Sequence, residues 1–242
     1  MKSNLIAIAG RRNSGKDTVA NMISYISSVG TKASFEDWQD NIIPSTGRLE
    51  LLRVNFADAV KDIISVILSI DRKYFDDRVH KDMVYYCPKT GNFYNWAELE
   101  RFNFTYIGLD DYFNINFSDL INPLFTIKGM SPALKIRDIM QFIGTNVGRK
   151  VLGEDIWTNI AKIKIINKMK TNGRCYVSDV RFNNECEAIK DLGGKVILIN
   201  RPNINNPEHE SEEINIAPHY IIDNDKKLSN LFYKVLRLTY EL

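Results

Sequence analysis

The clearest pattern near the start of the chain is Leu5-Ile6-Ala7-Ile8-Ala9, an unbroken apolar run stopped by Gly10. A short apolar run bounded by glycine predicts a strand buried on both faces. From Asp17 the spacing changes. Val19, Met22, Ile23 and Ile26 recur at helical intervals and line one face, and Gly30 predicts the helix end. The chain thus opens strand, glycine loop, helix. A second strand is predicted over 51–56, followed by Ala57-Asp58 and a helical run with Val60, Ile63, Ile64 and Ile67. A third unit leads from Cys175-Tyr176-Val177-Ser178 through Asp179 to a helix over 187–192, closed by Gly193-Gly194. Residues 195–200 predict a fourth strand, 220–222 a short fifth, and 228–238 a closing helix. Strands alternating with helices predict an α/β fold with a mainly parallel sheet covered on both faces.

The stretch 71–128 breaks this rhythm. It is rich in Tyr, Phe, Asn and Asp, as in Tyr85-Tyr86 and Asn92-Phe93-Tyr94-Asn95-Trp96, and Lys89-Thr90-Gly91-Asn92 predicts a turn between aromatic runs. Its aromatic content argues against disorder. It reads as an inserted lid or substrate-binding subdomain within a single domain spanning 1–242. Residues 130–148 return to helical spacing, with Leu134, Ile136, Ile139, Met140 and Ile143.

Composition narrows the class. A chain of 242 residues with 44% hydrophobic and 26% charged residues is long and apolar enough for one α/β domain with an insertion. The net charge of +2 gives no whole-surface attraction to nucleic acid or membrane, so neither is expected as a stable partner. Cys87, Cys175 and Cys186 form no CxxC pair, which predicts free thiols in a reducing compartment. The Leu5–Ala9 run is too short for a secretory signal, and no run approaches the roughly 20 apolar residues of a membrane span. A cytoplasmic enzyme is expected.

Gly10-Arg11-Arg12-Asn13-Ser14-Gly15-Lys16 matches G-x-x-x-x-G-K, the phosphate-binding P-loop. Glycines let the backbone wrap a β-phosphate with N–H groups turned inward. The following helix adds its N-terminal donors and dipole. Lys16 supplies a point charge for the β- and γ-phosphates. A chance glycine turn is the competing explanation, and the motif's position between a predicted strand and helix argues against it. One position departs from pattern: the Ser or Thr that usually follows the lysine and serves Mg²⁺ is Asp17, with Thr18 next. Asp17 is a hard oxygen ligand able to serve Mg²⁺ directly or through water, and Thr18 is an alternative donor to phosphate. A P-loop alone fits a kinase, a GTPase, an ATPase motor or a nucleotide sensor.

Several further motifs recur in a particular order. They are Gly15-Lys16-Asp17-Thr18; Asn55-Phe56-Ala57-Asp58 with Lys61; Arg137 with Gln141 and Gly144-Thr145; Trp157; and Ser178-Asp179-Val180-Arg181-Phe182-Asn183-Asn184-Glu185. In that order the chain resembles the deoxynucleoside monophosphate kinases of tailed bacteriophages. The resemblance runs from the P-loop to Asp223-Asn224 and leaves the aromatic stretch unmatched. It implies a nucleoside-monophosphate-kinase-like P-loop fold, ATP and Mg²⁺ as partners, a deoxynucleotide acceptor and often a homodimer. If the chain is phage-encoded, the compartment is the host cytoplasm.

The resemblance also gives roles to weigh against plainer ones. Arg12, Asn13, Ser14, Gly15, Lys16, Asp17, Thr18 and Asn224 are expected around ATP, with Arg201-Pro202 near its base. Asp179 ends a strand where α/β sheets bind ligands and is expected at Mg²⁺ or the acceptor; the plainer role is a helix N-cap. Arg181 suits bridging of donor and acceptor phosphates, against an i,i+4 ion pair with Glu185. Glu185 is assigned to the nucleobase by the resemblance alone. Arg137 suits a bidentate clamp on the acceptor phosphate. Arg149 is a weaker candidate, read first as a solvated side chain. Gly144 and Thr145 are expected to interrupt the helix over 130–148 and offer close backbone approach and a hydroxyl. Trp157 either stacks on the base or packs in the core. Asp58 and Lys61 either touch the acceptor or cap and decorate their helix. Gln141 completes the acceptor set. His80, His209 and His219 form no metal cluster in sequence, and 208–213 reads as a solvated acidic loop. The leading expectation is ATP-dependent phosphorylation of deoxynucleoside monophosphates by in-line transfer. The acceptor is expected between the Arg137 helix and the Asp179–Glu185 segment. The rivals are another small-molecule P-loop kinase, such as a dephospho-coenzyme A kinase, and a non-catalytic nucleotide-binding module.

Overall fold

The computed structural model describes residues 4–67, 71–76, 81, 84–87, 92–93, 134–202 and 215–242. His80, His209, the 208–213 loop and most of the 71–128 stretch lie outside the described residues.

The described chain divides into two compact units, one made of Met1–Phe56 with Trp157–Leu242 and the other of Ala57–Ile156. In the first, strand β1 (Leu5–Ala9) leads into helix α1 (Lys16–Val29), and α2 (Phe35–Asp40) and α3 (Ile42–Leu52) follow. Helix α6 (Ile156–Asn172), β5 (Cys175–Val180), α7 (Asn183–Asp191), β6 (Lys195–Asn200), β7 (Tyr220–Asp223) and α8 (Leu228–Glu241) complete it. The strands form a sheet in the order β5-β1-β6-β7, with every neighbouring pair parallel. This is the α/β fold that the alternating pattern predicts.

The period of two in a strand divides the core. Ile6 and Ile8 face one side with Tyr176, Ile197, Ile199 and Ile222, against Met22 and Ile23 of α1 and Phe232 and Val235 of α8. Leu5, Ala7 and Ala9 face the other with Val177 and Val196, against Ala161 and Ile165 of α6 and Ile189 of α7. Each fully buried aliphatic side chain contributes about 1.5–3 kcal/mol of transfer free energy. Both faces of β1 are therefore fixed, and the loop that leaves its carboxyl end starts from a rigid point. Tyr25 of α1 bonds Asp37 of α2, and burial followed by this bond pushes its phenol up to about 12.

The predicted strand over 51–56 is corrected. Helix α3 continues to Leu52, whose neighbour Leu51 is exposed. Only Arg53 makes a bridge, to Tyr176, and the Val54 N–H donates to Tyr176 O at 2.9 Å. Six residues of mixed apolar pattern satisfy helix and strand periods equally, and packing of α3 on α1 decides the first half.

The second unit contains α4 (Asp58–Ile67), the short strands β2 (Val84–Cys87), β3 (Asn92–Phe93) and β4 (Leu134–Lys135), and α5 (Ile136–Gln141). The strands form an antiparallel sheet in the order β3-β2-β4. β2 and β3 pair Tyr86 with Phe93 and Cys87 with Asn92, and residues 89–91 of the predicted 89–92 turn lie outside the described residues. The helix predicted over 130–148 starts only at Ile136. It is not interrupted at Gly144-Thr145. From Phe142 to Leu152 it instead winds more widely, and the Gly153 N–H closes the last turn on Gly148 O at 3.0 Å, five residues back.

Candidate nucleotide site

The chain leaves β1 at Gly10, whose φ is 153°, and enters α1 through Gly15, whose φ is 100°. Side chains rarely adopt either value. Space is also closed: a Cβ on Gly10 would meet Ser14 Oγ at 2.5 Å and Ile199 O at 2.9 Å, and one on Gly15 would meet Asn224 Nδ2 at 2.9 Å. Asn13 holds a left-handed φ of 64°, which asparagine tolerates better than most residues.

Two distant loops hold this turn. Arg201, just after β6, donates from Nη1 to Asn13 O at 3.0 Å, and Asn224, just after β7, donates from Nδ2 to Ser14 O at 2.8 Å. In a trans peptide the N–H points opposite to the C=O. Tying the Ser14 carbonyl to Asn224 therefore turns the Gly15 N–H to the other side of the loop. Lys16 Nζ donates to Gly10 O and Arg11 O, both at 2.7 Å, which folds the ammonium over the loop. Ser14 is 1% exposed, and its hydroxyl has no hydrogen-bond partner among the described residues. A glycine-shaped cradle, a folded lysine and an orphaned buried hydroxyl fit a bound polyphosphate. Gly10→Ala is expected to destabilise the fold by about 1–3 kcal/mol through backbone strain. Thermal unfolding followed by circular dichroism measures this, and an unchanged Tm would show that the loop relaxes freely.

Beside the loop lies a polar cluster at the carboxyl end of β5. Asp17, in the first turn of α1, is 76% exposed and places Oδ1 3.5 Å from Arg53 Nη1. Ser178 Oγ lies 3.4 Å from Asp17 Oδ1 and 3.2 Å from Asn55 Oδ1. Asp179 Oδ1 accepts from the Phe56 N–H at 3.0 Å. The cap alternative for Asp179 is corrected: it lies within β5, and the N-cap of α7 is Phe182. Glu185 is buried, and its Oε2 accepts the Arg181 N–H at 2.8 Å and the Phe182 N–H at 3.2 Å. Its carboxylate thus serves the orphan donors at the start of α7. Arg181 follows β5, within the P-loop unit. Trp157, at the start of α6, is 4% exposed, as a core residue is. Thr18 lies in the first turn of α1 and is half-buried. Arg12 is half-buried in the loop itself.

The remaining predicted acceptor residues lie in the second unit. Asp58 starts α4, and its Oδ1 is 3.0 Å from Arg72 Nη2 and 3.7 Å from Lys61 Nζ. Lys61 is 7% exposed and bonds Asp76 at 2.7 Å. Burial raises the Asp76 carboxyl, and the bonds and charges of Lys61 and Arg72 outweigh it, leaving a net lowering. Arg137 is half-buried in α5, which Gln141 closes. Thr145 is buried in the widened turns, and a Cβ on Gly144 would meet the Val60 methyls at an ordinary 3.7–3.8 Å. The close approach expected at Gly144 is therefore not a tight one. Arg149 donates to Glu154 O at 3.3 Å.

Among the described residues no three His, Cys, Asp or Glu side chains group around a metal-sized site. Mg²⁺ at nucleotide phosphates needs only one or two carboxylates, and Asp17 and Asp179 are both of the right chemistry. Cys175 and Cys186 are free and buried, and burial pushes the Cys175 thiol up to about 12, which removes it as a nucleophile. His219 Nδ1 accepts from the Val196 N–H at 3.1 Å, and burial with nearby Lys195 lowers its affinity for a proton. No helix among the described residues is long and apolar enough to cross a membrane.

A sequence model of the deoxynucleotide monophosphate kinase family matches residues 78–235. This chain belongs to that family. The match begins after the P-loop, so the kinase assignment comes from the family and the loop geometry is a separate observation compatible with it. It spans Arg137, Trp157, the Asp179–Glu185 segment and Asn224. The chain is also 27% identical over 205 residues to the deoxynucleoside-5'-monophosphate kinase of Escherichia phage T5, covering 77% of this chain and 72% of that one. It is 31% identical over 113 residues to a protein of Acanthamoeba polyphaga mimivirus named "Putative deoxynucleotide monophosphate kinase", covering 41% of this chain and 58% of that one. The family match also includes 78–128, most of the 71–128 stretch left unmatched by the sequence resemblance.

The sequence does not show the pairing of Arg53 with Asp17, the bond of Arg201 to Asn13, or those of Ser178 to Asp17 and Asn55. Ser178 and Asn55 stand inside motifs already singled out, and Arg201 follows a predicted strand. Nothing in the sequence marks Arg53.

Proposed function

We propose that this chain transfers the γ-phosphoryl group of ATP to a deoxynucleoside 5'-monophosphate. The observation that carries this is the Gly10–Lys16 cradle in a chain of the deoxynucleotide monophosphate kinase family. The loop N–H groups and Lys16 bind the β- and γ-phosphates of ATP and hold them at the carboxyl end of β1. Asn224 and Arg201 keep that loop shaped for its ligand. Asp17, with Thr18 or Asp179, would hold Mg²⁺, which would supply positive charge to offset that of the phosphates. Arg137 orients the acceptor phosphate, and Arg181 stabilises the moving phosphoryl group. Asp58, Lys61, Gln141, Gly144, Thr145, Trp157 and Glu185 are proposed around the acceptor. The transfer is in-line and needs no covalent intermediate, because positioning and charge do the catalysis. A homodimer acting in the cytoplasm is the proposed working form.

A coupled assay of ADP release over the common deoxynucleoside monophosphates, ribonucleoside monophosphates and dephospho-coenzyme A tests the assignment. Turnover is expected with one or more deoxynucleotides. Turnover with dephospho-coenzyme A alone would replace the proposal with the rival kinase, and no turnover with any acceptor would favour a binding module.

Asp17→Asn is expected to raise the Mg²⁺ concentration for half-maximal rate by about tenfold, since one charge-assisted ligand is lost. An unchanged Mg²⁺ titration would move the role to Thr18 or Asp179.

A further inference from the structure

The chain places a carboxylate where P-loops usually carry a neutral hydroxyl. A second negative charge beside a triphosphate opposes its binding unless a cation balances it. Arg53 stands in that position. Its Nη1 lies 3.5 Å from Asp17 Oδ1, and its Nη2 pairs with Glu50. It is not a loose surface side chain: the side chain is 19% exposed, its backbone bridges Tyr176, and the next residue, Val54, bonds Tyr176 O at 2.9 Å. Ser178 Oγ, 3.4 Å from the same Asp17 oxygen, limits the carboxylate from the β5 side.

We infer that Arg53 is the counter-charge that lets Asp17 occupy the position after the P-loop lysine while a nucleotide polyphosphate is bound. Arg53 is a positioning residue: it acts on the nucleotide through Asp17. The inference rests on the proposed nucleotide site. A purely structural ion pair tying α3 to α1 would alter stability, but its loss would weaken nucleotide binding by the same factor whatever stood at position 17. A counter-charge predicts that the effect depends on the carboxylate.

The test is a double-mutant cycle on the full chain, read by equilibrium fluorescence titration with N-methylanthraniloyl-ATP, with and without Mg²⁺. Arg53→Gln is expected to weaken binding about fivefold in the wild-type background, the scale of a partly exposed charge pair. In the Asp17→Thr background, which restores the usual hydroxyl, the same change is expected to cost less than about twofold. Arg53→Lys, which keeps the charge, is expected to bind close to wild type. Circular dichroism checks folding, and Arg53→Met replaces Arg53→Gln in the cycle if the latter is unfolded. Equal factors in the two backgrounds, or Arg53→Lys binding as weakly as Arg53→Gln, would overturn this inference alone. A wild-type chain that binds no analogue would overturn the nucleotide site and this inference with it.

Discussion

Lys16→Ala is expected to lower kcat/KM by at least about a thousandfold, near 4 kcal/mol, while the far-ultraviolet circular dichroism stays that of the wild type. The size follows from where the charge sits. Lys16 Nζ is held over the loop by Gly10 O and Arg11 O, so it stands ready at the phosphate cradle without searching for a geometry. A preorganised cation at the oxygens of a transferring phosphoryl group is worth most at the transition state, where charge moves toward the bridging oxygen. The mild effect on folding follows from the same contacts. Lys16 is half-buried in the first turn of α1, where it bonds two loop carbonyls, while the core side of the helix is carried by Val19, Met22 and Ile23. Alanine keeps the helix propensity. A folded Lys16→Ala protein with near-normal turnover would remove the P-loop from the mechanism.

That prediction was accessible from sequence because the P-loop is local. Strand, glycines, lysine and helix follow one another within about 20 residues, so spacing alone carries the geometry. The same holds for β6, whose bounds of Lys195–Asn200 match the predicted strand, and for the end of α1 at Gly30. Locality also explains the failures. Residues 51–56 were ambiguous because short apolar stretches fit both periods, and the outcome depended on α3 packing elsewhere. The supports of the loop are remote: Arg201 meets Asn13 across 188 residues, Asn224 meets Ser14 across 210, and Ser178 meets Asp17 across 161. No window of sequence contains both partners. The unusual carboxylate at Asp17 is visible in the sequence, whereas its pairing with Arg53 required the bridge between Arg53 and Tyr176. Glu185 shows a third case: the resemblance assigned it to the nucleobase, and its observed bonds are to backbone donors at the start of α7.

Arg181→Ala is expected to lower kcat by about 10²- to 10³-fold with little change in KM, whereas Arg137→Ala is expected to raise the KM for the deoxynucleotide by about 10- to 100-fold with a smaller effect on kcat. The two arginines carry the same charge, so the difference must come from when each charge matters. An acceptor phosphate brought to ATP is repelled by it in the ground state, and a fork-shaped guanidinium on that phosphate offsets the repulsion equally before and during transfer. Such uniform binding appears in KM. Arg181 belongs to the P-loop unit, two residues beyond Asp179 on the segment leaving β5. The Arg181 N–H is fixed by Glu185 Oε2 at 2.8 Å, so its backbone position is set before any ligand arrives. On the proposed reading, a guanidinium carried there would serve the equatorial oxygens of the moving group, whose charge redistributes only as the bond breaks. That contribution appears in kcat. Steady-state kinetics with deoxynucleotide varied at saturating ATP separates the two. Arg181→Gln should resemble Arg181→Ala, because a neutral donor does not replace the charge. Normal kcat and KM in both alanine variants would discard the acceptor site while leaving the P-loop in place, and a KM effect from Arg181 with a kcat effect from Arg137 would exchange their roles.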